Sequence, residues 1–310
     1  MQLSIVLPCY NEEEVLPETV QRLLALHERL IISGKIAENS LIYFVDDGSR
    51  DKTWELIETY SKQYAPVRGI KLSRNRGHQN ALLAGLFTAE GDALISIDAD
   101  LQDDVDVIEQ MVDAYRNGDE IVYGVRKARK TDTAFKRATA EGFYKLMHLM
   151  GVDIVFNHAD YRLTSRNVIE HLKAYKEVNL FLRAMVPLVG FKSSSVYYDR
   201  AERFAGESKY PLKKMLSFAW DGITSFSVMP LRFITALGFI IFFATFVMSL
   251  WVLGTKLFTD EAVPGWASTV LPIYFIGGIQ VLSIGIVGEY IGKMYMETKA
   301  RPRFIIEKVV

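Results

Sequence analysis

Cysteine is almost missing from this chain. Cys9 is the only one in 310 residues, which excludes an intrachain disulfide and permits a reducing compartment. Net charge is nearly missing too: 36 Lys and Arg face 37 Asp and Glu, a formal -1 with histidine neutral. The balance says little about partners; no nucleic-acid partner is expected. No Gly-x-Gly-x-x-Gly follows the first apolar run and no Walker glycine loop occurs, which disfavours dinucleotide and P-loop folds. A secretory leader is not expected either. Leu3 to Leu7 is too short for an h-region and stops at Pro8, so the N-terminal domain should stay where it is made. Charge is wholly absent from two stretches, Phe233 to Leu253 and Ala267 to Gly288.

Each uncharged stretch has the ~20 residues needed to cross a ~30 Å hydrocarbon core. They predict transmembrane helices at about 232–254 and 267–289; a soluble chain would have to bury both on every side. Lys213, Lys214 and Arg232 precede the first, and Lys293, Lys299, Arg301, Arg303 and Lys308 follow the second. The loop between has Lys256 against Asp260 and Glu261. The positive-inside rule then places both termini and the N-terminal domain in the cytoplasm. Pro272 and Gln280 interrupt or polarise the second span, while Gly277, Gly278, Gly285 and Gly288 permit close helix contact, within one chain or between copies. Ahead of the first span, Leu212, Met215, Leu216, Phe218, Ala219, Trp220, Ile223 and Phe226 predict an interfacial amphipathic helix, with Lys213 and Lys214 on its wet side. The predicted organisation is a domain over 1–210, the interfacial helix over 211–230, the spans within 231–290 and a cytoplasmic C-terminal segment over 291–310.

Over the first two hundred residues, short apolar runs alternate with amphipathic stretches. The pattern is that of the α/β class, a mainly parallel sheet covered by helices. Strands are predicted at residues 3–7, 41–45, 67–72, 93–97 and 120–123. Asn11 and Glu14 offer a capping box for the first helix, Ser49 or Asp51 opens the second, and two more run over 79–89 and 105–115. Polar clusters stand at strand carboxyl ends: Tyr10-Asn11-Glu12, Asp46-Asp47, Arg74 to Arg76, and Asp98 with Asp100. Each alone suits a helix cap or turn. Together they fit the rule that open α/β sheets bind ligands outside those ends. Asp98 and Asp100, two apart, leave the same face of an extended chain. Paired carboxylates attract a hard cation such as Mg²⁺ or Mn²⁺, whose open positions suit the oxygens of a diphosphate.

At these residues the chain resembles glycosyltransferase family 2 enzymes of GT-A fold, and among them the polyprenyl-phosphate glycosyltransferases related to dolichyl-phosphate mannose synthase. It is most similar to bactoprenol glucosyl transferases with two C-terminal transmembrane helices. The resemblance rests on Val6-Leu7-Pro8-Cys9-Tyr10-Asn11-Glu12, Val45-Asp46-Asp47-Gly48-Ser49, Asp98-Ala99-Asp100-Leu101-Gln102-Asp103 and Asn157-His158-Ala159-Asp160-Tyr161-Arg162-Leu163. Arg203-Phe204-Ala205-Gly206-Glu207-Ser208-Lys209-Tyr210 and Gly288-Glu289-Tyr290-Ile291-Gly292 extend it to the whole chain.

The resemblance implies that Asp98, Asp100 and Gln102 hold the metal on a UDP-sugar donor. Pro8, Tyr10, Asn11, Glu12, Asp46, Asp47 and Asp98 would receive that donor, since a carboxylate can accept the imide N–H of uracil. Asp160 and Arg162 are implied at the catalytic step. Asp160 is either a base or a positioning group, because a phosphate monoester with a second pKa near ~6 needs little deprotonation; His158 reads as structural. Arg126 and Arg137, in a basic segment with Lys127, Arg129, Lys130 and Lys136, and Arg203, Ser208 and Lys209, are the cations available to an acceptor phosphate. The first set also suits a solvated loop or anionic lipid. The implied reaction is inverting transfer of one sugar, glucose or N-acetylglucosamine, to undecaprenyl or another polyprenyl phosphate, for cell-envelope glycan modification. The implied partners are that donor, that acceptor, a lipid bilayer and further copies of the chain, a tetramer being one form. The implied location is the cytoplasmic (inner) membrane, multi-pass, with the catalytic domain facing the cytoplasm. Two other readings stand beside it. A processive polysaccharide synthase lacks support because no Gln-x-x-Arg-Trp occurs; a non-catalytic membrane adaptor or lipid-translocation scaffold would leave Asp98, Asp100, Asp160 and Lys209 unexplained.

Overall fold

The computed structural model describes residues 1–127, 158–199, 223–225, 227–258 and 265–310. Arg129, Lys130, Lys136, Arg137, Arg203, Ser208, Lys209 and nearly all of the expected interfacial helix lie outside them.

The first four strands are β1 (Leu3–Cys9), β2 (Leu41–Asp46), β3 (Val67–Leu72) and β4 (Ala93–Ser96). They are joined by α1 (Leu16–Ile32), α2 (Thr53–Gln63) and α3 (His78–Thr88), and α4 (Val107–Arg116) leads from β4 to β5 (Ile121–Arg126). Next come β6 (His158–Ser165), α5 (Arg166–Lys173), α6 (Leu182–Leu188) and β7 (Ser193–Tyr198). Two long helices, α7 (Met229–Phe258) and α8 (Trp266–Thr298), precede a last strand, β8 (Ile306–Val309). The α/β expectation holds: the strands form one eight-stranded sheet in the order β7-β5-β6-β4-β1-β2-β3-β8.

Both faces of the sheet are covered, which is why its strands read as near-continuous apolar runs. Leu3, Ile5 and Leu7 face one core with Leu16, Val20, Leu23 and Leu30 of α1. Val6 and Val45 face the other, with Ala81, Leu82 and Ala84 of α3. The α1 residues recur at three- and four-residue spacing, so one stripe is buried, and each such leucine contributes about 1.5–3 kcal/mol. Asn11 does not cap α1 as the sequence suggested. It adopts φ 55°, its Oδ1 accepts the Arg50 amide at 2.9 Å, and α1 begins behind Val15 without a side-chain cap. Contact between neighbouring loops outcompeted the local cap.

Parallel pairing links β4 to β1, β1 to β2 and β2 to β3, so the chain turns first one way from β1 and later the other, towards β4. That reversal opens a crevice at the carboxyl ends of β1 and β4. Strand β6 runs antiparallel to β4, with Ser96 opposite Arg162. Its amino end therefore lies beside β4's carboxyl end.

The expected two spans correspond to helices longer than predicted. Among the described residues, one stretch, Phe275–Thr298 within α8, is long and apolar enough to cross a membrane. Within α7, Met229–Ile241 is a shorter apolar stretch, so a second span is not established. The segment expected over 291–310 begins inside α8, which continues through Lys293 and Glu297 to Thr298 before the chain returns to the sheet. Ile306–Val309 pairs antiparallel with β3, and Gly69 and Val310 exchange backbone hydrogen bonds of 2.9 Å.

Gly85 sets the seat of α3: a Cβ there would stand 2.3 Å from Val6 Cγ1 and 2.7 Å from Val45 Cγ2. Gly85→Val should destabilise the domain by about 1–3 kcal/mol through overpacking. A thermal unfolding midpoint equal to that of the unsubstituted chain would show that α3 is not pressed onto the sheet in this way.

Candidate active site

The crevice is lined from four strand ends. At the end of β1, Tyr10 is exposed, while the Asn11 amide donates to Ser49 Oγ at 3.0 Å and the Glu12 amide to Thr53 Oγ1 at 2.8 Å. At the end of β2, Asp47 takes the Arg76 amide at Oδ1 (2.7 Å) and the Gly77 amide at Oδ2 (2.8 Å), holding the β3–α3 loop. Gly48 makes that approach possible, since a Cβ on it would stand 2.6 Å from the Asn75 nitrogen. Asp46 accepts the Ser49 amide at Oδ1 (3.1 Å), whereas its buried Oδ2 has no partner. Burial pushes both carboxyls above the usual range, and the Ser49 and the Arg76 and Gly77 amides respectively pull them back. Both carboxylates are buried, and Asp47 is committed on both oxygens to the β3–α3 loop.

At the end of β4, Asp98 is half-buried and Asp100 buried. Leu101 follows at φ 56°, a left-handed conformation rare for a branched residue. The turn brings the Gln102 amide back to Asp100 Oδ1 at 3.2 Å. Burial raises the Asp98 pKa, His78 lowers it, and the neighbouring Asp103, Asp160 and Asp100 raise it further. Among the described residues no three His, Cys, Asp or Glu side chains converge closely enough to enclose a cation alone. The donor set nevertheless fits a divalent ion shared with a substrate. Asp98 and Asp100 are hard oxygen ligands in a crowd of like charge that a cation would relieve.

Opposite them stands Asp160, at the amino end of β6. Arg162 Nη2 donates to its Oδ1 at 3.1 Å and Arg183 Nη2, from α6, to its Oδ2 at 3.3 Å. His78 Nε2, on the first residue of α3, lies 3.3 Å from Asp98 Oδ1 and 3.8 Å from Asp160 Oδ2. Burial alone would raise the Asp160 pKa, but Arg183, Arg162 and His78 outweigh it and hold the carboxyl well below the usual range. Arg162 is 2% exposed and reaches only inward, its Nη1 donating to the Leu182 carbonyl at 3.4 Å.

Arg126 extends from β5 to Asp103, with Nη2 at 2.9 Å and Nε at 3.2 Å from the same oxygen, which also accepts the Tyr198 hydroxyl. Burial works against its charge, but Asp103 and Tyr198 more than compensate. The structure thus draws Asp98, Asp100, Asp160 and Arg162 together and gives Arg126 an internal anion. Sequence reasoning missed His78 and Arg183. The first lies two residues past the Arg74–Arg76 cluster, a signal present in the sequence; nothing in sequence ties Arg183 to residue 160.

The model of the family described as Glycosyl transferase family 2 matches residues 4–173. A Bacillus subtilis (strain 168) protein, "Uncharacterized glycosyltransferase YkoT", is 54% identical over 98% of this chain and 91% of its own. The "Prophage bactoprenol glucosyl transferase homolog" of Escherichia coli (strain K12) is 40% identical over 100% of this chain and 99% of its own. Among solved structures, glucosyl-3-phosphoglycerate synthase from Mycobacterium tuberculosis is similar at a TM-score of 0.46 and 19% identity, covering 72% of this chain and 77% of that one.

The two carboxyls should respond oppositely to amidation. Asp160→Asn leaves Arg162 buried without its anion and should cost about 3–5 kcal/mol at neutral pH. The wild-type contribution of Asp160, whose pKa is depressed, is full above the unfolded value near ~3.9 and is lost as pH falls through its folded pKa, so the variant's stability should decline less on acidification. Asp98, with a raised pKa, destabilises the fold once ionised; Asp98→Asn should raise the neutral-pH midpoint in chelator. Unfolding midpoints across pH test both, and matching shifts of the two variants would refute the assignment.

Proposed function

The chain belongs to glycosyl transferase family 2 and is a glycosyltransferase, and from that premise we propose that it moves a single sugar, glucose or N-acetylglucosamine, from a UDP-sugar to a polyprenyl phosphate with inversion. The observation that carries this reading is the facing arrangement of Asp98 and Asp160 across the crevice, bridged by His78. Relatives named bactoprenol glucosyl transferase, similar along the whole chain, support the lipid phosphate as acceptor.

On this reading the nucleotide lies against Pro8, Tyr10, Asn11, Glu12, Asp46 and Asp47, and the diphosphate against Asp98. A Mg²⁺ or Mn²⁺ ion held by Asp98, Asp100 and Gln102 would neutralise charge on the departing diphosphate. Asp160 then positions groups and does not remove a proton. A carboxylate kept ionised by two guanidinium groups is a weak base, and an acceptor phosphate with a second pKa near ~6 already carries the nucleophilic oxygen. Arg162, fully enclosed, acts through Asp160, whereas Arg183, about a third exposed, can reach the crevice. Arg137, Arg203, Ser208 and Lys209 remain candidates for the acceptor phosphate, with Arg126 if it leaves Asp103.

The exposed side chains of α7 and α8, among them Phe239, Phe243, Val281 and Ile284, suit a bilayer that keeps the polyprenyl tail in lipid. This favours a multi-pass protein of the cytoplasmic membrane. A homo-oligomer, a tetramer being one form, is consistent with Gly277, Gly285 and Gly288, where an added Cβ would meet nothing within 4 Å.

The test is to incubate purified full-length protein with Mg²⁺ or Mn²⁺, undecaprenyl phosphate and a panel of nucleotide sugars, and to seek a glycosylated lipid phosphate by mass spectrometry. One lipid-linked monosaccharide is expected, abolished by chelation and slowed by roughly a hundredfold or more in Asp160→Asn. Free sugar and UDP alone would overturn the acceptor, a lipid-linked polymer would favour the processive reading, and no turnover with any donor would return the scaffold reading.

A further inference from the structure

A second basic site lies away from the Asp98–Asp160 crevice. A cavity of about 390 Å³ opens between the β3–α3 loop and the chain that leaves α8, and Arg74, Arg76, Arg301 and Arg303 line it. Two of these side chains come from beside Asp47 and two from the segment just past the apolar stretch Phe275–Thr298. They are 225 or more residues apart in sequence, so only the return of β8 to the sheet brings them together.

Anions are scarce around them. Glu297 of α8 is occupied: its carboxylate accepts the Val178 amide at 2.8 Å and the Asn179 amide and side chain at 2.9 and 2.7 Å. Glu177 and Glu297 act on Arg303, which also donates to the Tyr175 carbonyl and whose pKa burial lowers against them. Among the described residues, Arg74, Arg76 and Arg301 make no side-chain hydrogen bond or ion pair. Arg76 Nε is buried without a partner, and so is Asn80 Oδ1 in the same wall. A buried guanidinium N–H left unpaired is costly, and planar forks of this kind match phosphate oxygens. The remaining wall is apolar, with Val178, Met296 and Ile305.

We propose that this cavity binds a phosphate group, and that its apolar wall suits the phosphodiester headgroup of an anionic lipid at the end of α8. The end of a membrane-crossing helix is where such headgroups lie, and basic residues there attract them. Asn80 Oδ1 offers an acceptor to a headgroup hydroxyl. Occupation would brace the Arg74–Gly77 loop, whose amides hold Asp47 and whose next residue is His78, so lipid contact and the crevice share one loop. The inference stands whether or not a sugar is moved.

Binding of short-chain phosphatidylglycerol, of short-chain phosphatidylcholine and of inorganic phosphate to the full-length protein in detergent, without nucleotide, tests it. Phosphatidylglycerol should bind and phosphatidylcholine much less, and R74Q/R301Q should weaken the first by about tenfold, the worth of one charge-assisted hydrogen bond. Inorganic phosphate binding as tightly, with the same loss in the variant, would support the phosphate site and assign it to a free anion. Both arginines are exposed, so R74Q and R301Q singly carry the test if the double variant unfolds; K308Q, which removes a charge outside the cavity, should change nothing. Unchanged binding in the arginine variants, or displacement of the lipid by UDP, would overturn the proposal.

Discussion

A guanidinium enclosed in a sheet is the constraint on which the site depends. Arg162 sits in β6 among apolar strands and is 2% exposed, and without an anion its charge would cost several kcal/mol. Asp160, two residues earlier on the same face, supplies that anion, and Arg183 of α6 adds a second cation. The carboxylate is thereby held ionised and immobile. Structural pairing and functional placement are one interaction, since the same strand end that buries Arg162 presents Asp160 to Asp98.

Sheet topology turns that pairing into a site. Strands β1 to β5 and β7 direct their carboxyl ends to one rim, and β6, running the other way, brings its amino end to the same rim. Two carboxylates separated by 62 residues then face each other over His78, on the first turn of α3. Their electrostatics diverge because their neighbours differ: Asp98 has carboxylates around it, Asp160 has arginines. Groups with opposite shifts across a crevice are the arrangement expected where charge is handled during a reaction.

The return of the chain after α8 makes the sheet and the long helices one structure. Strand β8 closes the β3 edge, which would otherwise expose unpaired backbone groups. Glu297 and Arg303 tie the end of α8 to the 175–179 loop. The Ser73 amide donates to the Ile305 carbonyl at 3.0 Å, so the segment that leaves α8 also touches the start of the β3–α3 loop.

Apolar runs, their period and the polar residues that end them determined the first five strands, the four intervening helices and the placing of Asp98 and Asp100 at the end of β4. These features are local, and so the sequence alone carried them. The charge-free stretches likewise determined two long helices, though Lys293 and Glu297, which lie on α8 past residue 289, hid its true end. What the tertiary structure decided was every relation between distant residues. It set His78 and Arg183 against Asp160, Arg126 against Asp103, Asn11 against the 49–50 loop and β8 against β3. None of these has a sequence period, because each arises from burial of a charge or a backbone edge that only the assembled sheet creates.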